Sequence, residues 1–204
     1  MEDKKVHWES VFSTKSENEV SWFQKSPSTS LQFIEKLNLD KNSKIIDIGG
    51  GDSYFIDSLL ELGFINLTLL DISSNAIERI KNRLGTNQSK VTFIVSNVLD
   101  FSSTEQYDFW HDRASFHFLT EKIQIEKYNK IVSNALKLNG NMVIGTFSEN
   151  GPKKCSGLEI TQYNDIKMKE VFNKSFELIN FFTEDHLTPF KTLQNFIFCT
   201  FKRK

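Results

Sequence analysis

The sequence predicts an α/β domain with a mostly parallel β-sheet, and three observations support this. First, the segment 45–48, apolar except for Asp47, leads into Gly49, Gly50 and Gly51 and then into a helical pattern. Second, the apolar residues 67–70 end in a carboxylate, Asp71. Third, the rest of the chain alternates apolar strand-like segments with amphipathic helical patterns. This alternation is typical of a parallel sheet that is covered by helices on both faces.

The length and composition fit one domain. The chain has 204 residues, 39% of them hydrophobic, and a formal net charge of -1, which is enough for one well-buried core. We therefore expect residues 1–204 to form a single domain, with residues 1–40 as a helical leader and residues 41–204 as the core. Because 25 Lys and Arg nearly balance 26 Asp and Glu, no nucleic-acid partner is expected.

Neither a membrane segment nor a metal site is predicted. No apolar stretch reaches transmembrane length, and residues 1–5 lack the apolar core of a signal peptide, so we expect a cytoplasmic protein without a membrane partner. The two cysteines, Cys155 and Cys199, lie far apart in sequence and outside any C-x-x-C motif. Free thiols are the expectation for both.

The leader is predicted to be helical and aromatic. Residues 6–12 have helical spacing around Trp8, and a polar segment then leads to Trp22. Pro27 and Ser28 give a stop and an N-cap before a second helix, whose apolar face includes Leu31. Two aromatic-rich segments thus precede the first strand.

The core elements follow from apolar periodicity and from turn residues. Gly63 and Gly85 are predicted to end the first two crossover helices, and Asn139-Gly140 is predicted to turn the chain out of the long helix. The predicted strands cover residues 45–48, 67–71, 91–95, 107–110, 142–147, 176–182 and 195–201. The predicted helices of the core cover residues 54–62, 75–84, 123–138 and 165–172.

The glycine loop and Asp71 predict a nucleoside site. Glycines let the backbone pass close under a ligand at the carboxyl end of a strand, and Asp71 lies where a ribose-binding acid falls in such folds. A dinucleotide fingerprint would require a glycine at position 54, which is Tyr54. A pyrophosphate ligand and a nicotinamide oxidoreductase are therefore disfavoured. The alternative is an ordinary glycine turn with two acids at strand ends.

With Asp47 before the loop and Asp71 on the second strand, the sequence resembles the class I S-adenosylmethionine-dependent methyltransferases. The resemblance implies a Rossmann-like three-layer sandwich whose mostly parallel seven-stranded sheet has an antiparallel last strand. It also implies in-line transfer of a methyl group from S-adenosyl-L-methionine, which leaves S-adenosyl-L-homocysteine. This donor carries no phosphate, and its ammonium and sulfonium are cationic, so a carboxylate such as Asp47 suits the pocket.

The resemblance also assigns the cofactor site. It places Asn97 where the family usually has an acid that accepts from adenine, and an amide oxygen can still accept that bond; the alternative is a turn residue. A leader that folds over the donor would bring Trp8 and Trp22 to the sulfonium, unless they only anchor the leader to the core. The cofactor-binding set is Trp8, Trp22, Asp47, Gly49, Gly50, Gly51, Asp71, Ile72, Asn97, Val98 and His111.

The acceptor side is expected at the end of the fourth strand, where the family keeps its acceptor chemistry. The predicted catalytic residues are Asp112, Arg113 and His117. His111 and Asp112 would orient or deprotonate an acceptor, and Arg113 would bind a substrate anion. The Asp112-Arg113-Ala114 run is also similar to thiopurine methyltransferases. Alternatively, Asp112 and Arg113 form a structural ion pair and His117 packs near the adenine.

The sequence leaves the acceptor open. A small-molecule thiol, amine, hydroxyl or carboxylate is the first hypothesis, and a lysine side chain of a protein is the second. A module that binds S-adenosylmethionine without catalysis is the alternative from another functional class.

Overall fold

The computed structural model describes residues 2–204, with side chains from residue 4 onward. A seven-stranded sheet forms the centre of the fold. The strand order is β3-β2-β1-β4-β5-β9-β8. β9 is antiparallel to both of its neighbours, and the other pairs are parallel. The strands are β1 Lys44–Ile48, β2 Asn66–Asp71, β3 Val91–Val95, β4 Tyr107–Arg113, β5 Leu136–Phe147, β8 Phe176–Leu187 and β9 Leu193–Arg203, with a separate hairpin of β6 Lys154–Cys155 and β7 Leu158–Glu159.

Helices cover both faces of the sheet. One face packs against α2, α3 and α4 through buried side chains that include Phe33, Phe55 and Ile77. The other face packs against α5 and α6 through Tyr128 and Phe172. The helices are α1 Glu2–Thr14, α2 Ser28–Lys36, α3 Phe55–Glu61, α4 Ser74–Leu84, α5 Lys122–Ala135 and α6 Asp165–Phe172. The predicted three-layer Rossmann-like architecture with an antiparallel last strand is confirmed.

Two predicted boundaries are wrong for a common reason, which is strand pairing. The long helix ends at Ala135 rather than at residue 138, because Leu136 is extended and pairs with Tyr107 of β4. The turn at Asn139, with φ +62°, therefore lies inside β5. The fourth strand runs on to Arg113, because its residues pair with β1 on one side and with β5 on the other. Pairing partners of this kind cannot be seen in a local pattern.

The last two strands form one long hairpin. β8 and β9 extend well beyond the predicted segments and pair from Phe176 with Arg203 to Leu187 with Leu193. The hairpin turn is closed by bonds between Thr188 and Thr192. Of the helices that the structure describes, none is both long enough and apolar enough to cross a membrane.

Candidate active site

A deep pocket lies at the carboxyl ends of β1, β2 and β4, under the leader. The strand order reverses here, because β2 lies on one side of β1 and β4 on the other, which is where open α/β sheets bind their ligands. All eleven residues of the predicted cofactor set line this pocket, as does Arg113. Asp112 and His117 do not line it. The rest of the lining is mainly Lys4, Phe12, Val20, Phe23, Gln24, Ser30, Asp52, Ser53, Ser96, Ser115, Phe118 and Gln124.

The glycine loop brings backbone close to the floor of the pocket. Gly49 and Gly51 have φ of +61° and +55°, a left-handed conformation that favours glycine. A Cβ on Gly49 would lie 2.6 Å from the Cβ of Ser115, and a Cβ on Gly50 would overlap with Oδ2 of Asp47. The loop therefore has room only for glycine at these positions.

Asp47 is held at the pocket by a chain of side chains. Its Oδ1 accepts from Nδ1 of His111 at 2.7 Å, and Nε2 of His111 accepts from the Ser30 hydroxyl at 2.9 Å. All three residues are buried. His111 thus has both ring nitrogens engaged, and its ring also packs on Phe55 with centroids 4.2 Å apart. This arrangement makes His111 a support for Asp47 rather than a free base.

The other carboxylate oxygen of Asp47 is the pocket's orphan acceptor. Oδ2 is buried and has no hydrogen-bond partner among the residues that the structure describes. A buried carboxylate oxygen left in this way costs free energy unless a ligand donates to it. The atom is therefore suited to a cationic or N–H donor group of a bound molecule.

Asp71 lies beside the same loop. Its Oδ2 accepts from the backbone N–H of Gly51 at 2.9 Å, and its Oδ1 accepts from that of Ser73 at 2.8 Å. Burial raises the pKa of Asp71 to about 7; these two bonds oppose the rise, and the charges of Asp47 and Asp52 add to it. A carboxylate can accept about four hydrogen bonds, so Asp71 retains capacity for ligand hydroxyls.

Asn97 lines the pocket but has a structural bond as well. Its side-chain oxygen accepts from the backbone N–H of Leu99 at 2.9 Å and caps the short turn that follows. This is the turn role that the sequence left open. The amide nitrogen of Asn97 makes no such bond in residues 4–204 and is available to a ligand in the pocket.

Aromatic side chains of the leader form the roof of the pocket. The Trp8 ring lies 5.5 Å from Trp22 and 5.2 Å from Phe118, centroid to centroid, and Phe12 lies 6.2 Å from Trp8. All four rings line the pocket. Trp8 and Trp22 therefore both anchor the leader and face the ligand space, so the two interpretations of these residues are compatible.

Glu9 fastens the leader to the N-terminus of α4. Its carboxylate accepts from the hydroxyl of Ser73, from the hydroxyl and N–H of Ser74, and from the N–H of Asn75, at 2.7–3.0 Å. Partial burial would raise the pKa of Glu9, but these donors outweigh it and lower the pKa to about 2. Because Ser73 also donates to Asp71, the roof and the floor of the pocket share one hydrogen-bond network.

The placement of Asp112 does not fit the predicted catalytic role. Its Oδ1 accepts from the N–H groups of Ser115 and Phe116, and its Oδ2 accepts from the Tyr128 hydroxyl at 2.8 Å. Neighbouring strand residues point to opposite faces, so Asp112 points to the α5 side while His111 and Arg113 point to the pocket side. Burial raises the pKa of Asp112 to about 6, against these bonds. The proposed ion pair with Arg113 is also not formed.

Replacing Asp112 by Ala should lower the free energy of unfolding by about 3 kcal/mol or more, because two backbone N–H groups and one hydroxyl would lose their buried acceptor. Urea denaturation measures this loss. The matched control is Asp100→Ala, whose exposed carboxylate lies 3.3 Å from Lys127 and should change stability by less than about 1 kcal/mol. Equal effects of the two substitutions would contradict the assignment.

His117 is also placed away from the pocket. Its ring is fully buried, stacks on Phe147 with centroids 4.5 Å apart, and contacts Phe118 edge-on. Burial, and then the charge of Arg113, lower the pKa of His117 to about 3. His117 is therefore packed in the protein interior. Its ring lies behind Phe118 rather than against the pocket.

Several residues in or beside the pocket were missed by sequence reasoning. Ser30, which lines the pocket, and Glu9, which fastens the leader beside it, act through partners that are distant in sequence, so no local pattern indicates them. Lys4 donates to the carbonyl of Phe118 at 2.6 Å, again a distant contact. Only Asp52 carried a signal, because it directly follows the three glycines, and it accepts from Arg79 at 3.0 Å.

Comparisons with known proteins identify the family of the chain. Residues 39–190 match the model of a family described as "Methyltransferase domain". The chain is 26% identical over 106 residues to malonyl-[acyl-carrier protein] O-methyltransferase 2 of Ilyobacter polytropus, which covers 52% of this chain and 39% of that protein. It is 26% identical over 157 residues to EEF1A lysine methyltransferase 2 of Homo sapiens, covering 68% of this chain and 65% of that protein. The matches span less than two thirds of each relative.

A solved structure supports the fold over nearly the whole chain. The structure of the N-methyltransferase NodS from Bradyrhizobium japonicum WM9, in complex with S-adenosyl-L-homocysteine, aligns with a TM-score of 0.69. The sequence identity is 13%, and the alignment covers 96% of this chain and 97% of that chain. At this identity the likeness establishes the fold.

Proposed function

The chain belongs to the methyltransferase-domain family, with the class I S-adenosylmethionine-dependent fold, and we propose that it transfers the methyl group of S-adenosyl-L-methionine to a small-molecule acceptor. The match of residues 39–190 to the family model confirms the predicted family. The observation that carries the proposal is the unpartnered, buried Oδ2 of Asp47 at a pocket beside a glycine loop. A cationic group of a ligand would supply the hydrogen-bond donor that this oxygen lacks.

The residues of the pocket suit the donor's parts. Asp47 would accept from the ammonium of its amino-acid part, and Gly49, Gly50 and Gly51 leave the space in which that part would lie. Asp71 would accept from the ribose hydroxyls. Asn97, Ile72 and Val98 line the remaining end of the pocket, where the adenine would lie. Trp8 and Trp22 would face the sulfonium, to which aromatic rings are attracted.

The donor supplies an electrophilic methyl group when it is bound. The chain's contribution to the reaction is to hold the acceptor in line with that group and to keep water out, which can account for much of the rate of such a transfer. With Asp112 and His117 directed elsewhere and His111 engaged on both nitrogens, we place no general base in the pocket. An acceptor that is already nucleophilic at neutral pH fits this arrangement.

A small acceptor is favoured by the roof of the pocket. Nine lining residues come from the leader: Lys4, Trp8, Phe12, Val20, Trp22, Phe23, Gln24, Pro27 and Ser30. A covered pocket suits a molecule that is enclosed entirely. The rival acceptor is a lysine side chain of a protein, and the similarity to the human lysine methyltransferase supports it.

The test begins with calorimetric titration of the protein with S-adenosylmethionine and with S-adenosylhomocysteine. Release of S-adenosylhomocysteine is then followed with small thiols, amines, acids and alcohols, and with a protein extract separated from its small molecules. Turnover with a small molecule supports the proposal, and turnover with the protein fraction alone supports the rival. Donor binding without any turnover would favour a non-catalytic binding module, and failure to bind either ligand would overturn the proposal.

The pH dependence of donor binding tests the role of Asp71. Ribose hydroxyls donate to the ionised carboxylate, whose pKa of about 7 makes it mostly protonated at pH 6. Affinity for S-adenosylmethionine should therefore fall about tenfold from pH 8 to pH 6, as measured by calorimetry, and the Asp71→Asn variant should show a much flatter profile. Identical profiles for the two proteins would contradict this assignment.

The same raised pKa has the opposite consequence for stability. In the free protein the folded state keeps a proton on Asp71 that the unfolded chain releases above its ordinary pKa of 3.8. The contribution of Asp71 to the free energy of unfolding should therefore fall as the pH rises from about 4 to about 7. Thermal unfolding with and without the donor separates the two trends.

A further inference from the structure

We propose that the methyl acceptor carries an oxyanion, and that Arg113 recognises it at the end of the pocket opposite the adenine side. This inference rests on the proposed function and adds the charge of the substrate to it. The oxyanion is a carboxylate or a phosphate, because both match the fork of a guanidinium group.

The position of Arg113 in the sheet indicates that its side chain lies at the acceptor end of the pocket. It is the last residue of β4 and pairs with Gly145 of β5, on the side of β1 that is opposite to β2 and Asp71. Its guanidinium lies over the Phe196 ring of β9, at 5.1 Å from the centroid. β9 is three strands from β1 in the sheet, a separation of about 14 Å between the strands. The side chain thus extends away from the glycine loop that would hold the donor.

The hydrogen bonds of Arg113 leave room for a ligand. Nη1 donates to the backbone carbonyl of Trp22 at 3.1 Å, and Nε is buried without a partner. Within residues 4–204, no carboxylate oxygen lies within 4 Å of the guanidinium. Burial lowers the pKa of Arg113 to about 10, with Glu184 and Asp47 acting against it from a distance, so the group is still cationic at neutral pH.

The guanidinium of Arg113 would be stabilised by an anion beside it. Desolvating a guanidinium costs free energy that an anion in contact with it regains, and in the described part of the chain Glu184 and Asp47 act on Arg113 only from a distance. Arg113 lines the pocket, so an anion in the pocket can reach it. A positive φ of +65° at Ala114 turns the chain sharply after Arg113 and into the pocket wall.

The two ends of the pocket have opposite charge. The donor end contains the carboxylates Asp47, Asp52 and Asp71, whereas Arg113 and Lys4 are the cationic lining residues. A carboxylate or phosphate on the acceptor would be repelled from the first end and attracted to Arg113. This division would orient an acceptor with its anion at Arg113 and its nucleophile toward the donor.

Arg203 provides a matched control. It also donates through Nη1 to a backbone carbonyl, that of Leu136 at 3.1 Å, and its Nε is also buried without a partner. Arg203 lies at the end of β9 outside the pocket. An effect that appears at Arg113 and not at Arg203 therefore reflects the pocket rather than the burial of an arginine.

The experiment titrates the protein, saturated with S-adenosylhomocysteine, with benzoate and phenyl phosphate and with their uncharged counterparts benzamide and benzyl alcohol. We expect at least one anion to bind at least about tenfold more tightly than its counterpart. Arg113→Gln should remove that preference, because it removes the cationic group. Arg113→Lys should retain part of it, and Arg203→Gln should retain all of it.

Three outcomes would overturn the inference. One is that neither anion binds better than its counterpart, and another is that Arg113→Gln keeps the preference. The third is that Arg113→Gln weakens S-adenosylhomocysteine binding as much as it weakens anion binding, which would place Arg113 in the donor site or in a purely structural role. Failure of the proposed function is distinguishable, because the wild-type protein would then not bind S-adenosylhomocysteine at all.

Discussion

Replacing Asp47 by Asn should weaken the binding of S-adenosylmethionine by about 100-fold or more, which corresponds to about 3 kcal/mol. The substitution keeps the size of the side chain but removes its charge. It also leaves an amide where the orphan Oδ2 would accept from the donor's ammonium. Calorimetric titration measures the loss, and thermal unfolding of the free variant shows whether the fold is intact.

Asp108→Asn is the matched control for Asp47→Asn. Asp108 lies near the start of β4, at the other end of the sheet from the pocket, and it accepts from Lys137 at 2.7 Å. Its replacement should leave donor affinity within about twofold of wild type, since Asp108 does not line the pocket. If the two variants bound the donor equally well, Asp47 would not be part of the donor site.

Replacing Gly51 by Ala should weaken donor binding at least about tenfold, whereas Gly85→Ala should leave it unchanged. Both residues have a positive φ, +55° and +56°, so an alanine strains the backbone at both positions. A Cβ on Gly51 would lie 3.0 Å from the tip of the Phe12 ring and 3.8 Å from Asp71. Nothing lies within 4 Å of a Cβ on Gly85.

Because the backbone is strained in both variants, a difference in their donor affinity reflects the contacts of Gly51 in the pocket. In Gly51→Ala the leader must shift at Phe12, which disturbs the roof that Trp8 helps to form. Thermal unfolding measures the loss of stability in each variant, and calorimetry with S-adenosylmethionine should separate their donor affinities. Equal donor affinity in both would show that the contact between Phe12 and the loop is unimportant for binding.

The fold and the position of the pocket were predictable from local patterns. A strand that ends in glycines, and a second strand that ends in Asp71, must place those residues at one edge of a parallel sheet. For this reason the glycine loop, Asp47 and Asp71 all line the pocket that the structure shows. Their roles toward the donor remain predictions until binding is measured.

The residues expected at the acceptor side were placed less well, because their positions depend on where β4 ends and on the direction of each side chain. His111, Asp112 and Arg113 are adjacent in sequence, and the sequence does not show where β4 ends. The structure continues the strand through all three, so their side chains alternate between the two faces of the sheet. Asp112 consequently points to Tyr128, while His111 points to Asp47.

The sequence by itself determined the order of strands and helices, the glycine loop and the acids at the strand ends, because these depend on periodicity and on the conformational freedom of glycine. The tertiary structure decided which oxygen of Asp47 is left without a partner, how Glu9 fastens the leader over the pocket, and that Arg113 faces the pocket without a counter-ion in the described residues. Each of these depends on contacts between segments that are far apart in sequence, and only folding brings such segments together.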